Sequence, residues 1–301
     1  MTQLPALSLA AVPGRRQATL ELAQEIERRG FTGIYCPSFG DGLSLCLALA
    51  FSTNEIRIGT SIVNIYTRHV TDFAQTASWI HEASGGRFYF GVGVSHGPVN
   101  SQLGVQAGKP LEDMRHFVEG LRAAPRAGEL PPIVLATLRQ RMVKLAGESA
   151  EGIVWANGAR SHMEASLASL PDDKRSSDDF FVGCMIPTCI SDDKEAAAAV
   201  MRRTLTGYAM LPNYNNYWIE AGYEEEMAAI RQAARTGDNE RIPSLMSDEW
   251  LADVTLFGSA AEVREGLEAW HAAGVKTPIL VPSSTEGGQM RAFQELFAAF
   301  E

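Results

Sequence analysis

Cysteine is scarce in this chain: only four occur among 301 residues, and no two stand as a Cys-x-x-Cys pair. This scarcity disfavours a disulfide-stapled fold and a cysteine zinc site, because both need several cysteines at short spacings. Cys36 and Cys184 lie inside apolar runs, where a buried free thiol is the usual state. We therefore expect free thiols and a reducing compartment.

Long apolar runs are absent as well. No run approaches the roughly 18 residues that a membrane span needs, and Met1–Ala10 lacks the basic region of a signal peptide. The formal net charge of −10 disfavours nucleic acid and anionic membranes as partners, because an acidic surface is repelled by both. We expect a cytoplasmic protein whose partner is a small-molecule substrate.

Three catalytic motifs are also missing. The chain has no His-Glu-x-x-His or other metal-ligand spacing, so we expect no metal. No Gly-x-Gly-x-x-Gly follows the first predicted strand, which disfavours a dinucleotide-binding fold. Lysine occurs only in predicted loops and helices or, at Lys276, before a strand, which disfavours a Schiff-base lyase.

What the chain does contain is a regular alternation of short apolar runs and longer helical patterns. The predicted strands are Leu7–Val12, Phe31–Cys36, Ile56–Val63, Phe88–Val94, Pro132–Ala136, Gly152–Ala156, Phe180–Thr188 and Thr277–Val281. The predicted helices are Arg15–Arg29, Leu43–Phe51, Val70–Ala83, Leu111–Ala123, Arg139–Ala146, Ser161–Ser169, Lys194–Tyr208, Ala260–Ala273 and Gln289–Phe300. Residues 95–110 and Pro171–Asp179 are predicted loops, and residues 211–253 a helical insertion rich in aromatic side chains.

Eight strand-then-helix units predict a parallel sheet. The length suits closure into a (β/α)8 barrel, so we predict an α/β fold with a single domain over residues 1–301. An open, doubly wound sheet is the alternative. In a barrel, functional residues lie at the carboxyl ends of the strands, so the segments that follow the predicted strands are the candidates for a functional site.

Four segments carry a family resemblance. The run from Gly59 to His69 reads GTSIVNIYTRH, and residues 85–93 read GGRFYFGVG. Residues 142–152 and 257–275 supply two further motifs in the expected order. Together they resemble the bacterial luciferase-like family over nearly the whole chain. Ile65 and Val70 depart from it, because they stand where that family often has proline.

The resemblance implies a barrel that binds a deazaflavin, coenzyme F420, or alternatively FMN, and that forms a homodimer. It also implies a bulge with a non-prolyl cis peptide at Ser61–Ile62, which supports the middle of the ring. The cofactor contacts expected in this part of the barrel are Ser38, Ser61, Ile62, Asn64, Gly93 and Ser95.

Two histidines are candidate catalytic groups. His96 lies in a glycine-rich turn after the fourth predicted strand, and a histidine pKa near neutrality suits proton transfer. His69 matches the family segment. The alternative for His96 is a residue that only hydrogen-bonds its loop.

A phosphate site is expected at the start of the helix after the sixth strand. Asn157, Gly158, Ala159 and Arg160 precede it, and the amide groups at a helix start favour an anion. The resemblance adds the fifth-strand end, where Ala136, Thr137 and Arg139 stand. Asn157 and Ser161 acting as simple helix caps is the alternative.

One departure bears on the reaction. Deazaflavin-dependent alcohol and sugar dehydrogenases have an Asp-His pair where this chain has Ser38-Phe39, and neither side chain is a good proton acceptor. Either His96 supplies the base, or the substrate is an activated C=C or C=N bond that needs none. The leading hypothesis is an F420-dependent oxidoreductase; an FMN-dependent monooxygenase and a non-catalytic flavin-binding barrel are the alternatives.

Overall fold

A computed structural model describes residues 3–38 and 40–301. The chain divides into two compact units, Met1–Trp155 with Ala168–Gly183 and Ala156–Leu167 with Cys184–Glu301.

The strands are short and mostly buried. They are β1 (Ala6–Ser8), β2 (Gly33–Cys36), β3 (Arg57–Thr60), β4 (Val63–Asn64), β5 (Phe88–Gly93), β6 (Ile133–Ala136), β7 (Gly152–Ala156), β8 (Phe181–Ile190), β9 (Leu256–Gly258) and β10 (Thr277–Ser283).

The α-helices follow the strands along the chain. They are α1 (Arg16–Arg28), α2 (Gly42–Ser52), α3 (Val70–Ala83), α4 (Gly97–Gln102), α5 (Pro110–Ala123), α6 (Gln140–Ser149), α7 (Met163–Leu167), α8 (Asp172–Ser176), α9 (Lys194–Ala209), α10 (Pro212–Glu220), α11 (Glu224–Thr236), α12 (Asp248–Val254), α13 (Ala260–Ala272) and α14 (Gln289–Ala299). Two 3-10 helices, Arg160–His162 and Asn239–Leu245, complete the set described.

The first unit is a run of parallel strands in chain order. β1 pairs with β2, β2 with β3, β3 with β5, β5 with β6 and β6 with β7, every pair parallel. β4 is a short additional partner of β5. In the second unit β8 pairs with β9 in parallel and also with β10. With its order of strands and intervening helices, the chain has the predicted fold class, a (β/α)8 barrel.

Each of the eight predicted strands overlaps a strand of the structure, but four details were wrong. Residues 95–110 contain the helix α4, and the predicted loop Pro171–Asp179 contains the helix α8. The strand β9 was not predicted, because Leu256–Gly258 is too short to give an alternating pattern. The predicted helix Ser161–Ser169 is a 3-10 turn followed by only five α-helical residues.

The amino-terminal side of β3 is held by two charged residues of the first unit. The Glu27 carboxylate accepts hydrogen bonds from the main-chain N–H groups of residues 54, 55 and 56. The Arg87 guanidinium donates to the carbonyls of residues 50, 53, 56 and 84 and to the Thr53 hydroxyl. These contacts fix the position at which β3 begins, and therefore where its carboxyl end lies.

Two absences concern only the described residues. Within 3–38 and 40–301, every helix is too short or too polar to cross a bilayer. In the same part of the chain, no three His, Cys, Asp or Glu side chains come together as a metal site would require.

Candidate active site

The carboxyl end of the third strand is broken at the predicted position. β3 ends at Thr60, β4 begins at Val63, and the Ser61–Ile62 peptide bond between them is cis, as the resemblance implied. The Ser61 N–H donates to the Cys36 carbonyl at 2.8 Å, and the Thr60 hydroxyl donates to the Gly91 carbonyl at 2.7 Å. The break is thus bonded on both sides to the neighbouring strands β2 and β5.

Glycines on β5 let the Ile62 side chain lie close to the main chain. A Cβ placed on Gly93 would stand 2.9 Å from the Ile62 Cδ1 and 2.9 Å from the Ala136 Cβ. A Cβ on Gly91 would stand 1.9 Å from the Thr60 carbonyl oxygen. All three distances are below ordinary contact, so a side chain at either glycine would force its neighbours to move; glycine main chain separates the three adjacent strand ends here.

Two hydroxyl groups at these strand ends are buried and lack a partner. Ser61 is 6% exposed and Thr137 is 3% exposed, and among the described residues neither Oγ finds a hydrogen-bond partner. Leaving a buried hydroxyl unsatisfied costs on the order of 1–3 kcal/mol, so such groups in a folded protein call for an explanation. A bound ligand with polar atoms would supply one, and Ser61 and Thr137 are both predicted cofactor contacts.

Ser38 lies beside the same break. Its hydroxyl donates to the main-chain carbonyl of Ile62 at 2.9 Å, and the residue is otherwise exposed. Phe39, the second residue of the departure from the family pattern, lies outside the described residues. The arrangement gives Ser38 a supporting role for the Ile62 carbonyl.

Asn64 is buried, and its carboxamide is used inside the protein. Its Nδ2 donates to the Asn100 Oδ1 at 2.9 Å, and its Oδ1 accepts from the Tyr66 N–H at 3.1 Å. The Tyr66 hydroxyl in turn donates to the Asp113 carboxylate; burial and then that carboxylate raise the Tyr66 pKa. Asn64 therefore joins β4 to the segment that carries His96, a contact that sequence reasoning missed.

His96 lies three residues after the end of β5 and immediately precedes α4. It is half-buried, and burial lowers its pKa from the ordinary value of 6.5 because the charged imidazolium loses hydration. Ser95, just before it, has a positive φ of 57°, which is uncommon for a residue other than glycine. The neutral imidazole, the form that accepts a proton, is thus favoured at neutral pH.

His69 has a different setting. It is exposed and forms the N-cap of α3, where its Nδ1 accepts a hydrogen bond from the Thr71 N–H at 3.3 Å. Its neighbour Arg68 pairs with Asp41 at 3.3 Å and with Asp72 at 3.6 Å. His69 thus acts as a helix cap, and its catalytic role stays a prediction.

In the second unit, the main-chain amides after β7 are already bonded. The Gly158 N–H faces the Cys184 sulfur, and the Ala159 N–H donates to the Tyr217 hydroxyl at 3.0 Å. The Ser161 N–H and hydroxyl donate to the Asp253 carboxylate at 2.8 and 2.7 Å. These three amides are satisfied without a phosphate, and one of them faces a carboxylate, so none of the three is free to bind an anion.

The aromatic insertion has a clear structural role in this unit. Trp218 donates from its indole to the Asn157 carbonyl at 3.2 Å, and its ring packs edge-on against Trp250 at 4.8 Å. Tyr214, Tyr217 and both tryptophans are buried. The insertion therefore stabilises the segment Asn157–Ser161 through hydrogen bonds with buried aromatic side chains.

The start of α6, in the first unit, lacks the side-chain carboxylate that occupies the segment after β7, and is therefore the better candidate for an anion site. α6 has ten residues, no side-chain cap and no acidic residue in its first turn. Arg139 at its N-cap and Arg141 in its first turn are both exposed. The buried Thr137 hydroxyl precedes them, so this strand end combines cationic side chains, a helix dipole and an unsatisfied donor.

Solved structures share this fold at low sequence identity. The coenzyme F420-dependent tetrahydromethanopterin reductase of Methanopyrus kandleri matches with a TM-score of 0.73 and 16% identity, over 98% of this chain and 97% of that one. The oxygenating constituent of 3,6-diketocamphane monooxygenase from Pseudomonas putida, in complex with FMN, matches with a TM-score of 0.61 and 16% identity, over 98% and 96%. Both confirm the barrel fold.

Sequence comparison identifies the family. A protein of Mycobacterium tuberculosis with the provisional name coenzyme F420-dependent oxidoreductase Rv3520c is 25% identical, over 88% of this chain and 91% of its own length. The family model described as luciferase-like monooxygenase matches residues 3–277. The chain therefore belongs to the luciferase-like monooxygenase family, a family of enzymes, which confirms the resemblance found in the sequence.

Proposed function

We propose that this enzyme is a coenzyme F420-dependent oxidoreductase that exchanges hydride with a small organic substrate. The observation that carries the proposal is the pair of buried, unsatisfied hydroxyls of Ser61 and Thr137. They lie at the strand ends near Gly91 and Gly93, where the main chain is not covered by side chains of β5. The names of the Mycobacterium and Methanopyrus relatives favour the deazaflavin.

The first unit would hold the ring. A flat ligand approaches main chain most closely where side chains are small, and Gly93 and Ala136 provide such a surface beside Ile62. The Ser61 and Thr137 hydroxyls would then bond the polar atoms of the ring or its side chain. When bound, the deazaflavin supplies or accepts the hydride.

The phosphate of the cofactor would be bound at the start of α6. Arg139 and the uncapped first turn of that helix attract an anion, whereas the carboxylate of Asp253 at Ser161 repels one. Arg160 remains a second candidate through its half-buried side chain, while Asn157, Gly158 and Ala159 would act through the shape of their loop.

His96 would handle the proton. It is the candidate imidazole with its pKa held below the ordinary value, so it is neutral and able to accept a proton at pH 7. Ser38 bonds the Ile62 carbonyl and provides no base. Two reactions fit this distribution: His96 accepts the proton when a substrate is oxidised, or the substrate is an activated C=N or C=C bond whose reduction needs no base.

FMN is the alternative cofactor, and it would make the enzyme a monooxygenase. The shared fold of the camphane monooxygenase, which was solved in complex with FMN, favours this alternative. F420 and FMN differ in the atom at ring position 5, so the two hypotheses predict different absorption spectra for the protein with its cofactor bound.

The test is an absorption titration of the purified protein with F420 and with FMN in turn. We expect saturable binding of F420, with perturbation of its visible band, and at least tenfold weaker binding of FMN. Tight binding of FMN alone would support the monooxygenase. If neither cofactor binds, the proposal is wrong.

We further propose a cytoplasmic homodimer. Phe51 at the end of α2 and Trp79 on α3 are 72% and 66% exposed, the most exposed of the large apolar side chains described. Both belong to the first unit, on helices that pack against each other. Exposed aromatic side chains on one face are typical of protein interfaces. Light scattering should give twice the chain mass of 32.7 kDa, and replacing both by serine should give the monomer.

A further inference from the structure

Asn100 bonds the segment around His96 on both sides. Its side-chain Nδ2 donates to the Val94 carbonyl at 3.0 Å, and its main-chain N–H donates to the His96 carbonyl at 3.0 Å. Val94 lies two residues before His96 and Asn100 four residues after it. One residue thus fixes the main chain that enters and leaves the histidine.

The other end of the Asn100 carboxamide is anchored to a strand. Its Oδ1 accepts from the Asn64 Nδ2 at 2.9 Å, and Asn64 belongs to β4. Asn100 is 4% exposed and Asn64 is 6% exposed, so water does not compete with this contact. The Asn100 carbonyl also accepts from the Val105 N–H at 2.9 Å, which ties in the segment after α4.

A carboxamide is required at this position. It is one of the few side chains that donate and accept at once, and here the donor faces a carbonyl while the acceptor faces an amide. α4 has only six residues and no side-chain cap, so its own hydrogen bonds hold it weakly. The rigid element to which the His96 segment is attached is therefore β4, through the two asparagines.

We propose that Asn100 is a positioning residue that, together with Asn64, holds the His96 imidazole at its place beside the strand ends. The inference rests on the proposed function only for the catalytic importance of His96. The positioning itself is a property of the protein without cofactor. Loss of either carboxamide should let the segment move outward, so that the imidazole gains hydration and becomes easier to protonate.

The experiment is an NMR titration of the histidine Cε1 protons in cofactor-free protein, with His96 assigned from the spectrum of His96→Ala. In Asn100→Ala we expect the His96 pKa to rise toward its ordinary value by about half a unit or more. Asn64→Ala should give a shift of the same sign. The double variant should shift no further than the larger single change, because both act through one contact.

A matched control is Asn215→Ala. Asn215 is 2% exposed, and its Nδ2 faces the carbonyls of Ala209 and Met227 in the second unit. Its replacement removes a buried carboxamide of the same kind and should leave the His96 titration unchanged.

An unchanged His96 pKa in both Asn100→Ala and Asn64→Ala overturns the inference. An equal shift of the His96 pKa in Asn215→Ala also overturns it, since that result would indicate a general loosening of the protein fold. F420 affinity of Asn100→Ala should stay within about threefold of the parent protein, and a larger loss with no change at His96 would assign Asn100 to the pocket instead. Failure of the parent to bind F420 or FMN ends the proposed function but leaves the titration result decisive.

Discussion

The Ser38 hydroxyl donates to the main-chain carbonyl of Ile62 at 2.9 Å, and so links the end of β2 to the break between β3 and β4. In the related alcohol and sugar dehydrogenases, the resemblance places a titratable pair at the position of Ser38 and its neighbour. Here the residue holds a carbonyl in place. Under the proposed function, the Ser38 hydroxyl is a structural support and proton handling would fall to another residue.

Ser38→Ala tests this support. We expect F420 affinity to fall by roughly fivefold, since a neutral hydrogen bond contributes about 1 kcal/mol. The pH dependence of turnover should not change, because the hydroxyl does not titrate in the working range. Ser52→Ala is the control: the Ser52 hydroxyl is buried, and no partner is found for it among the described residues, so no hydrogen bond is lost. A missing pH limb in Ser38→Ala would contradict the assignment.

Gly93→Ala should damage the site more than the fold. The added methyl would lie 2.9 Å from both the Ile62 Cδ1 and the Ala136 Cβ; the Ile62 side chain can shift, whereas the Ala136 Cβ can yield only if the main chain of β6 moves. That shift covers the surface proposed for the ring, so F420 affinity should fall by at least tenfold. Urea unfolding should show a loss of about 1–3 kcal/mol, the usual range for overpacking.

Two other glycines bracket that result. Gly91→Ala places a methyl 1.9 Å from the rigid Thr60 carbonyl, so we expect failure to fold or a stability loss larger than for Gly93→Ala. Gly97 has nothing within 4 Å of its added methyl and begins α4, so Gly97→Ala should be neutral or slightly stabilising. If Gly93→Ala and Gly97→Ala have the same stability to urea and the same F420 affinity, the main-chain surface beside Ile62 is not tightly packed.

The phosphate site distinguishes two arginines. Arg139→Ala should weaken binding of F420 by tenfold or more and should leave binding of its dephosphorylated deazaflavin nearly unchanged, because only the phosphate contact is lost. Arg160→Ala should change both affinities equally and by less. Paired fluorescence titrations measure this, and a phosphate-specific loss in Arg160→Ala alone would return the site to the segment after β7.

Much of the fold was predictable because it depends on repeating local patterns. Apolar runs such as Phe88–Val94 are bounded by glycine and polar residues, and their spacing alone implies eight units. The helix α4 could have been found as well. Pro98 in its first turn is a common start signal, but the glycines around it favoured a loop.

The site was predictable in part, and for a different reason. Ser61 and Ile62 came from family resemblance, and the bulge lies there. Asn100 could not be found, since its importance depends on the Asn64 contact, 36 residues away in sequence. The hydrogen bond from the Ser161 N–H could not be predicted either, because its acceptor, Asp253, is 92 residues away in sequence. Long-range side-chain contacts leave no periodic signal.

His96 should set the acid limb of the pH profile. Burial lowers its pKa, so neutral imidazole persists to a pH below 6.5, and turnover that uses it as a base should fall only below that value. His96→Ala should retain F420 affinity and lose at least tenfold in turnover, together with this limb. His69→Ala, at an exposed helix cap, should keep the limb. A limb at or above the ordinary histidine value would contradict the burial argument.

Glu27 should stabilise the fold only when ionised. Burial acts to raise its pKa, but the N–H groups of Ile56, Glu55 and Asn54 outweigh burial, and the pKa is lowered from 4.5. The unfolded chain therefore binds a proton more readily than the folded one, and the contribution of Glu27 is full above pH 4.5 and is lost as pH falls further. Glu27→Gln should cost about 1–2 kcal/mol in urea unfolding at pH 7, and the difference should shrink toward pH 4.

Glu21→Gln is the matched control for that measurement. Glu21 lies on the same helix α1, is exposed, and makes only a long 3.5 Å contact with Gln17, so its replacement should change stability by less than about 0.5 kcal/mol at both pH values. A cost for Glu27→Gln that stays constant from pH 7 to pH 4 would mean that packing of the side chain, and not the charge that accepts three main-chain N–H groups, holds the start of β3. Arg87 would then be the principal anchor of that segment, since its five hydrogen bonds do not depend on pH in this range.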